Sequence, residues 1–153
     1  MAERQEGIEA QPKHATTSLI VLLVDDDDLV RSGTAVMLED LGHAVMEAET
    51  GDQALQQLAA RESRADVVIT DQVMPGMTGL ELIRQIERQH PSLPVILASG
   101  YTGISQGEPV DDALRLPKPF RQAELAEAIA EVCRRTAGRN CGEQSGKHSK
   151  RPL

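Results

Sequence analysis

Leu19 to Val24 is an unbroken run of six aliphatic residues, and it ends directly in four aspartates, Asp25 to Asp28. A run this apolar offers no polar face to water, so it reads as a strand covered on both sides, which implies a parallel sheet. Open α/β sheets place their ligand sites where such strands end. Carboxylates crowded at that point repel one another, at a cost of about 3 kcal/mol per pair at roughly 5 Å and an effective dielectric near 20. A cation offsets that cost, and a hard cluster of oxygens suits Mg²⁺ or Mn²⁺. Aspartate is also a good helix cap. The expected division is Asp25 and Asp26 in a site, with Asp27 or Asp28 capping the next helix.

Strand and helix signals then alternate along the chain. A first helix is predicted over about 28–40, with Val30, Thr34, Met37 and Leu41 on one face and Gly42 as its stop. His43 to Ala48 reads as a short second strand. Thr50 and Gln53 form a capping-box pattern that opens a helix carrying Leu55, Leu58 and Ala59 inward. Asp66 to Thr70 is a third strand. Thr78 and Glu81 form a second capping box, opening a helix in which Leu82, Ile83 and Ile86 recur. Pro94 to Ala98 is a fourth strand and 113–116 a weak fifth, followed by a helix over 121–135 with Leu125, Ala128, Ile129 and Val132 on one face. Between Ser99 and Lys118, three glycines at 100, 103 and 107 and Pro109 disfavour a long helix, so a short or irregular fourth helix is expected. The βα alternation predicts a doubly wound α/β domain over residues 18–135. Residues 1–17 read as a disordered lead-in, and 136–153 as a flexible polar and basic tail.

Composition narrows the function classes. The 153 residues carry a formal net charge of −8, which disfavours nucleic acid as a partner. With one Phe, one Tyr and no Trp, the core must be aliphatic. Cys133 and Cys141 form neither a disulfide framework nor a metal-ligand spacing. No apolar stretch reaches membrane-spanning length, and the first residues lack the apolar segment of a signal peptide. A cytoplasmic, reduced protein is expected.

Several strand ends carry a reactive polar residue: Asp25 and Asp26 after the first, Asp71 after the third, Ser99 after the fourth. Lys118 follows the fifth. In a parallel sheet these ends share one edge, so the residues can converge. Their chemistry is coherent: Asp71 as a carboxylate nucleophile toward a phosphoryl group, and Asp25 and Asp26 holding a divalent cation. Ser99 would donate a hydrogen bond and Lys118 a positive charge to phosphoryl oxygens.

Val24-Asp25-Asp26, the segment from Thr70-Asp71 through Met74-Pro75-Gly76 to Gly79, Ala98-Ser99-Gly100 and Lys118-Pro119-Phe120 together resemble the receiver domain of two-component response regulators. The resemblance covers about residues 18–135. It implies a five-stranded (βα)5 flavodoxin-like fold with strand order 2-1-3-4-5. It implies that Asp71 is the phosphoacceptor, Ser99 the switch residue and Lys118 the phosphate contact, with a bond to Pro119 that is commonly cis. It further implies Mg²⁺ held by Asp26, Asp71 and the Val73 backbone carbonyl, and through water by Asp25. The family often has an aromatic residue three positions before the lysine, where this chain has Arg115. The Ala-Ser-Gly-Tyr wording at 98–101 is closer to receivers attached to hybrid sensor kinases.

The expected function is therefore that of a phosphorelay receiver, a signalling domain rather than an enzyme. A sensor histidine kinase or a histidine phosphotransfer protein would supply the phosphoryl group, and a downstream protein would read the switch. The tail after the last helix is too short for a helix-turn-helix, so no direct DNA contact is expected. The starting Met favours a stand-alone protein over a fragment. Val73 and Tyr101 lie two positions beyond the phosphoacceptor and the switch residue. Neither carries a group that orients a hydrolytic water, which predicts a long-lived phosphoryl state. The competing reading is a Mg²⁺-dependent phosphohydrolase with an aspartyl-phosphate intermediate. That chemistry calls for a carboxylate two residues after the nucleophile, where Val73 stands.

Overall fold

Residues 18–60, 64–100 and 113–135 are described by a computed structural model of the chain. The expected lead-in and tail, Tyr101 and most of the segment expected to hold an irregular fourth helix lie outside those residues. Strand β1 (Ile20–Val24) is followed by helix α1 (Asp28–Asp40), β2 (Ala44–Ala48), α2 (Gly51–Ala59), β3 (Val67–Asp71), α3 (Gly79–Gln89), β4 (Val95–Ser99) and β5 (Leu114–Pro117). The last helix, α4, runs over 122–135. The five strands form one sheet in the order β2-β1-β3-β4-β5, and every neighbouring pair is parallel. This is the predicted doubly wound, flavodoxin-like arrangement.

Alternation along each strand divides the core into two layers. Val21 and Leu23 of β1, Val67 and Ile69 of β3 and Ile96 of β4 pack with Ala35 and Leu38 of α1 and with Leu125, Ile129 and Val132 of α4. Leu22, Val24, Val68 and Leu97 face the other way, onto Ala54 and Leu58 of α2 and Leu80, Ile83 and Ile86 of α3. Both faces of β1 and β3 are thus buried, which is why those strands are apolar without interruption.

Two helix faces differ from their sequence reading. In α1 the buried positions are Arg31, Thr34, Ala35 and Leu38, while Val30 is exposed and Met37 and Leu41 are only half-buried. Thr34 is inward as expected and Met37 packs against the core, but the face is turned toward Arg31, whose Nη1 is met inside the protein by the Asp25 carbonyl. In α2, Ala59 is exposed and Ala54 buried, so the inward stripe runs through Gly51, Ala54 and Leu58. The methyl of alanine is too small a hydrophobic signal to fix the phase of a nine-residue helix.

The helix ends follow their chemistry. Asp27 caps α1, its carboxylate accepting from the amides of Leu29 and Val30. Thr78 and Glu81 form the reciprocal capping box at α3. At α2 only half of the expected box exists: Thr50 accepts from the Gln53 amide at 3.0 Å, but Gln53 Oε1 accepts from Glu49 N at 2.6 Å. Gly42, at φ 98°, ends α1 by donating to Glu39 O, while His43 N donates to Leu38 O. Among the described residues no helix is long and apolar enough to cross a membrane.

His43 accepts a hydrogen bond at Nδ1 from the Leu19 amide, 3.1 Å away. Burial holds its pKa below the usual 6.5. The unfolded chain therefore takes up this proton more readily than the folded one. The stability tied to neutral His43 is present above pH 6.5 and lost as the pH falls through the folded-state value. Urea midpoints measured from pH 7.5 to 5.5 should fall more steeply for the wild type than for His43→Gln.

Candidate functional site

The parallel sheet brings the C-terminal ends of β1, β3 and β4 and the residue after β5 to one edge. Asp71 is the last residue of β3 and Ser99 the last of β4, each one position further inside its strand than the sequence suggests. Asp25 directly follows β1 and is buried at 5% exposure, Ser99 is buried at 9%, and Asp26 is exposed. Asp25, Asp26 and Asp71 each offer a carboxylate oxygen, and the three oxygens lie within 4.8 Å of one another.

Lys118 is the counter-charge. Its Nζ donates to Asp71 Oδ1 at 2.8 Å and lies 3.6 Å from Asp25 Oδ2. Its backbone amide donates to Ser99 O at 2.8 Å, and the Lys118–Pro119 peptide is cis. Burial pulls the Lys118 ammonium toward losing its proton. The hydrogen bond and charge of Asp71, helped by Asp25, outweigh that and hold its pKa above the usual 10.5. Burial pushes the Asp25 carboxyl up, the Asp27 amide works against it, and the negative charge of Asp71 adds to the rise.

One ammonium among three carboxylates leaves negative charge in a partly buried space. A small hard cation meets that imbalance, and three convergent oxygens are the donor set it takes. The residues present therefore fit Mg²⁺. Asp27 and Asp28 stand outside this cluster, Asp27 at the helix cap and Asp28 ion-paired with Arg31 at 2.7 Å. Val73 lies in the loop after β3 and is 70% exposed. Arg115 is exposed on β5.

Two residues near the cluster escaped the sequence reading. Arg31 donates to Asp25 O, and Gln72 accepts from the first turn of α3 twice: from Gly79 N at its carbonyl and from Leu80 N at its side chain, both at 2.9 Å. Only the acidic residues flanking Arg31 in sequence and at the end of β2 hinted at its burial.

A model of the response regulator receiver domain matches residues 21–130. The chain belongs to this family. Among curated proteins, the receiver resembles the sensor kinase CckA of Brucella abortus, at 37% identity over 118 residues that make up 75% of this chain and 12% of that protein. It also resembles the response regulator GacA of Pseudomonas viridiflava, at 45% identity over 78 residues, 50% of this chain and 36% of that protein. The receiver thus spans only a minor part of either relative. Among solved structures, the chemotaxis protein CheY4 of Vibrio cholerae superposes with a TM-score of 0.66 at 30% identity, covering 76% of this chain and 99% of that one. Receiver domains of this family belong to two-component signalling, as the resemblance in sequence implied.

Proposed function

We propose that this receiver accepts a phosphoryl group from a phosphohistidine onto Asp71. The observation that carries the reading is the ion pair of Lys118 Nζ with Asp71 Oδ1, at 2.8 Å, inside the Asp25–Asp26–Asp71 cluster. In the reaction an Asp71 oxygen attacks phosphorus, the P–N bond to the donor imidazole breaks, and the leaving nitrogen recovers a proton. An aspartyl phosphate remains. Asp25, Asp26, Asp71 and the Val73 carbonyl would hold Mg²⁺, which when bound neutralises charge on the phosphoryl oxygens. Lys118 turns from Asp71 to a phosphoryl oxygen, and Ser99 donates its hydroxyl to another. The contacts made only in the phosphorylated form bias the domain toward a second state.

The donor is a sensor histidine kinase or a histidine phosphotransfer protein, and a downstream protein reads the new state in the cytoplasm. The net charge of −8 disfavours direct contact of this receiver with DNA. The domain is a signalling device, whose only chemistry is uptake and loss of one phosphoryl group. Incubation of the whole chain with Mg²⁺ and acetyl phosphate, followed by intact mass measurement, should add one phosphoryl group. A folded protein that never gains that mass overturns the reading. Turnover of a chromogenic phosphate ester would move it toward the phosphohydrolase.

The exposed aliphatic side chain of Val73 cannot orient an attacking water. The label should therefore leave the protein over minutes or more. Val73→Asn supplies an amide at this position and should shorten the half-life several-fold, as followed by loss of the mass increment; a wild-type half-life of seconds contradicts the argument.

A further inference from the structure

Arg31 is buried at 9% exposure on the inner face of α1, where a helix of this kind ordinarily carries an aliphatic residue. Each nitrogen of its guanidinium makes a hydrogen bond. Nε donates to Glu47 Oε1 at 2.9 Å, Nη2 to Asp28 Oδ1 at 2.7 Å, and Glu49 Oε2 lies 3.9 Å away. Nη1 donates to the backbone carbonyl of Asp25 at 2.7 Å. Packing alone does not call for an arginine here, since Asp28, Glu47 and Glu49 hold their carboxylates at the surface, where ion pairs contribute little to stability. What an aliphatic residue cannot replace is the tether to Asp25.

That tether completes a set. The Asp25 amide donates to Ala48 O at 3.1 Å, and Asp25 Oδ1 accepts from the Asp27 amide at 2.9 Å. With its carbonyl held by Arg31, Asp25 has one oxygen left. That oxygen, Oδ2, is the one that lies 3.6 Å from Lys118 Nζ. We propose that Arg31 is a positioning residue for the cation site: by fixing the Asp25 backbone it keeps Oδ2 directed into the cluster with Asp26 and Asp71. The inference rests on the reading of that cluster as a Mg²⁺ site. Supporting groups of this sort, which orient a ligand without touching the metal, typically change metal affinity by about 10- to 100-fold when removed.

The sign of the effect separates positioning from simple charge. Removing a cation near an acidic site tightens Mg²⁺ binding if Arg31 acts only through its charge. Loss of positioning weakens it. Mg²⁺ titrated calorimetrically into the full chain should therefore show a Kd about 10-fold or more higher for Arg31→Met than for the wild type. An unchanged or lower Kd in the folded variant overturns the inference and leaves the Mg²⁺ reading standing. A wild type that binds no Mg²⁺ overturns both. If Arg31→Met does not fold, Arg31→Lys carries the same test. It keeps the buried charge but not the planar fork that spans Asp25, Asp28 and Glu47. Weaker Mg²⁺ binding supports positioning, and wild-type binding overturns it.

Discussion

Asp71→Asn should abolish the phosphoryl adduct formed with acetyl phosphate and Mg²⁺, from full occupancy in the wild type to none by intact mass. The amide nitrogen lone pair is delocalised and the amide oxygen is uncharged, so neither attacks phosphorus. The exchange removes one negative charge and almost no volume. Lys118 keeps Asp25 within 3.6 Å, and the amide oxygen still accepts from its ammonium, so the lysine is not left alone in the interior. The crowded cluster also sheds a like charge. The variant should fold, with a urea midpoint close to that of the wild type. Retention of the mass increment in Asp71→Asn would place the reacting group elsewhere in the chain.

Gly79→Ala should destabilise the domain by about 3 kcal/mol, near the upper end of what overpacking costs. A methyl at Gly79 would run into the backbone carbonyl oxygen of Asp71, and would stand 2.8 Å from Leu97 Cδ1 and 2.9 Å from Gln72 Cα. Two of those neighbours are backbone, so a side-chain rotation cannot relieve the crowding. The start of α3 and the end of β3 must separate, which also strains the hydrogen bond that the Gly79 amide donates to Gln72 O and moves Asp71 relative to Lys118. Gly33 in the middle of α1 supplies the control, because a methyl there meets nothing within 4 Å. Gly33→Ala should stabilise the protein by about 0.5–1 kcal/mol, as helix propensity alone dictates. Opposite signs in urea denaturation for the same substitution would isolate the close approach of α3 to β3. A neutral Gly79→Ala would contradict it.

The convergence of Asp25, Asp26, Asp71 and Lys118 was legible in the sequence for a topological reason. Apolar runs marked the strands, the alternation with helices made the sheet parallel, and a parallel sheet puts every strand's end on the same edge. The Thr78–Glu81 box was equally legible, because a cap is local chemistry written in four consecutive residues. The face of α1 was legible only in part. Thr34 falls inward as expected and Met37 packs at the edge of the core. Val30 and Leu41 outscore Arg31 on any hydrophobic count, yet Arg31 lies inside, met by Asp28 one turn back, by the end of β1 and by β2. Glu47 lies 16 residues from Arg31 in sequence, so that part of the partner set depends on the finished fold. Gln72 escaped for the same reason, since its side chain is explained by an amide eight residues on, at Leu80.

The bond from the Lys118 amide to the Ser99 carbonyl carries a mechanical consequence. The backbone of the serine is coupled to that of the lysine, and β4 and β5 are already paired up to Ser99 and Pro117. The two strand tips are therefore tied together, and the lysine side chain links them to the acidic cluster. A displacement of either tip would strain that hydrogen bond directly, which couples the cluster to β5, the edge strand of the sheet.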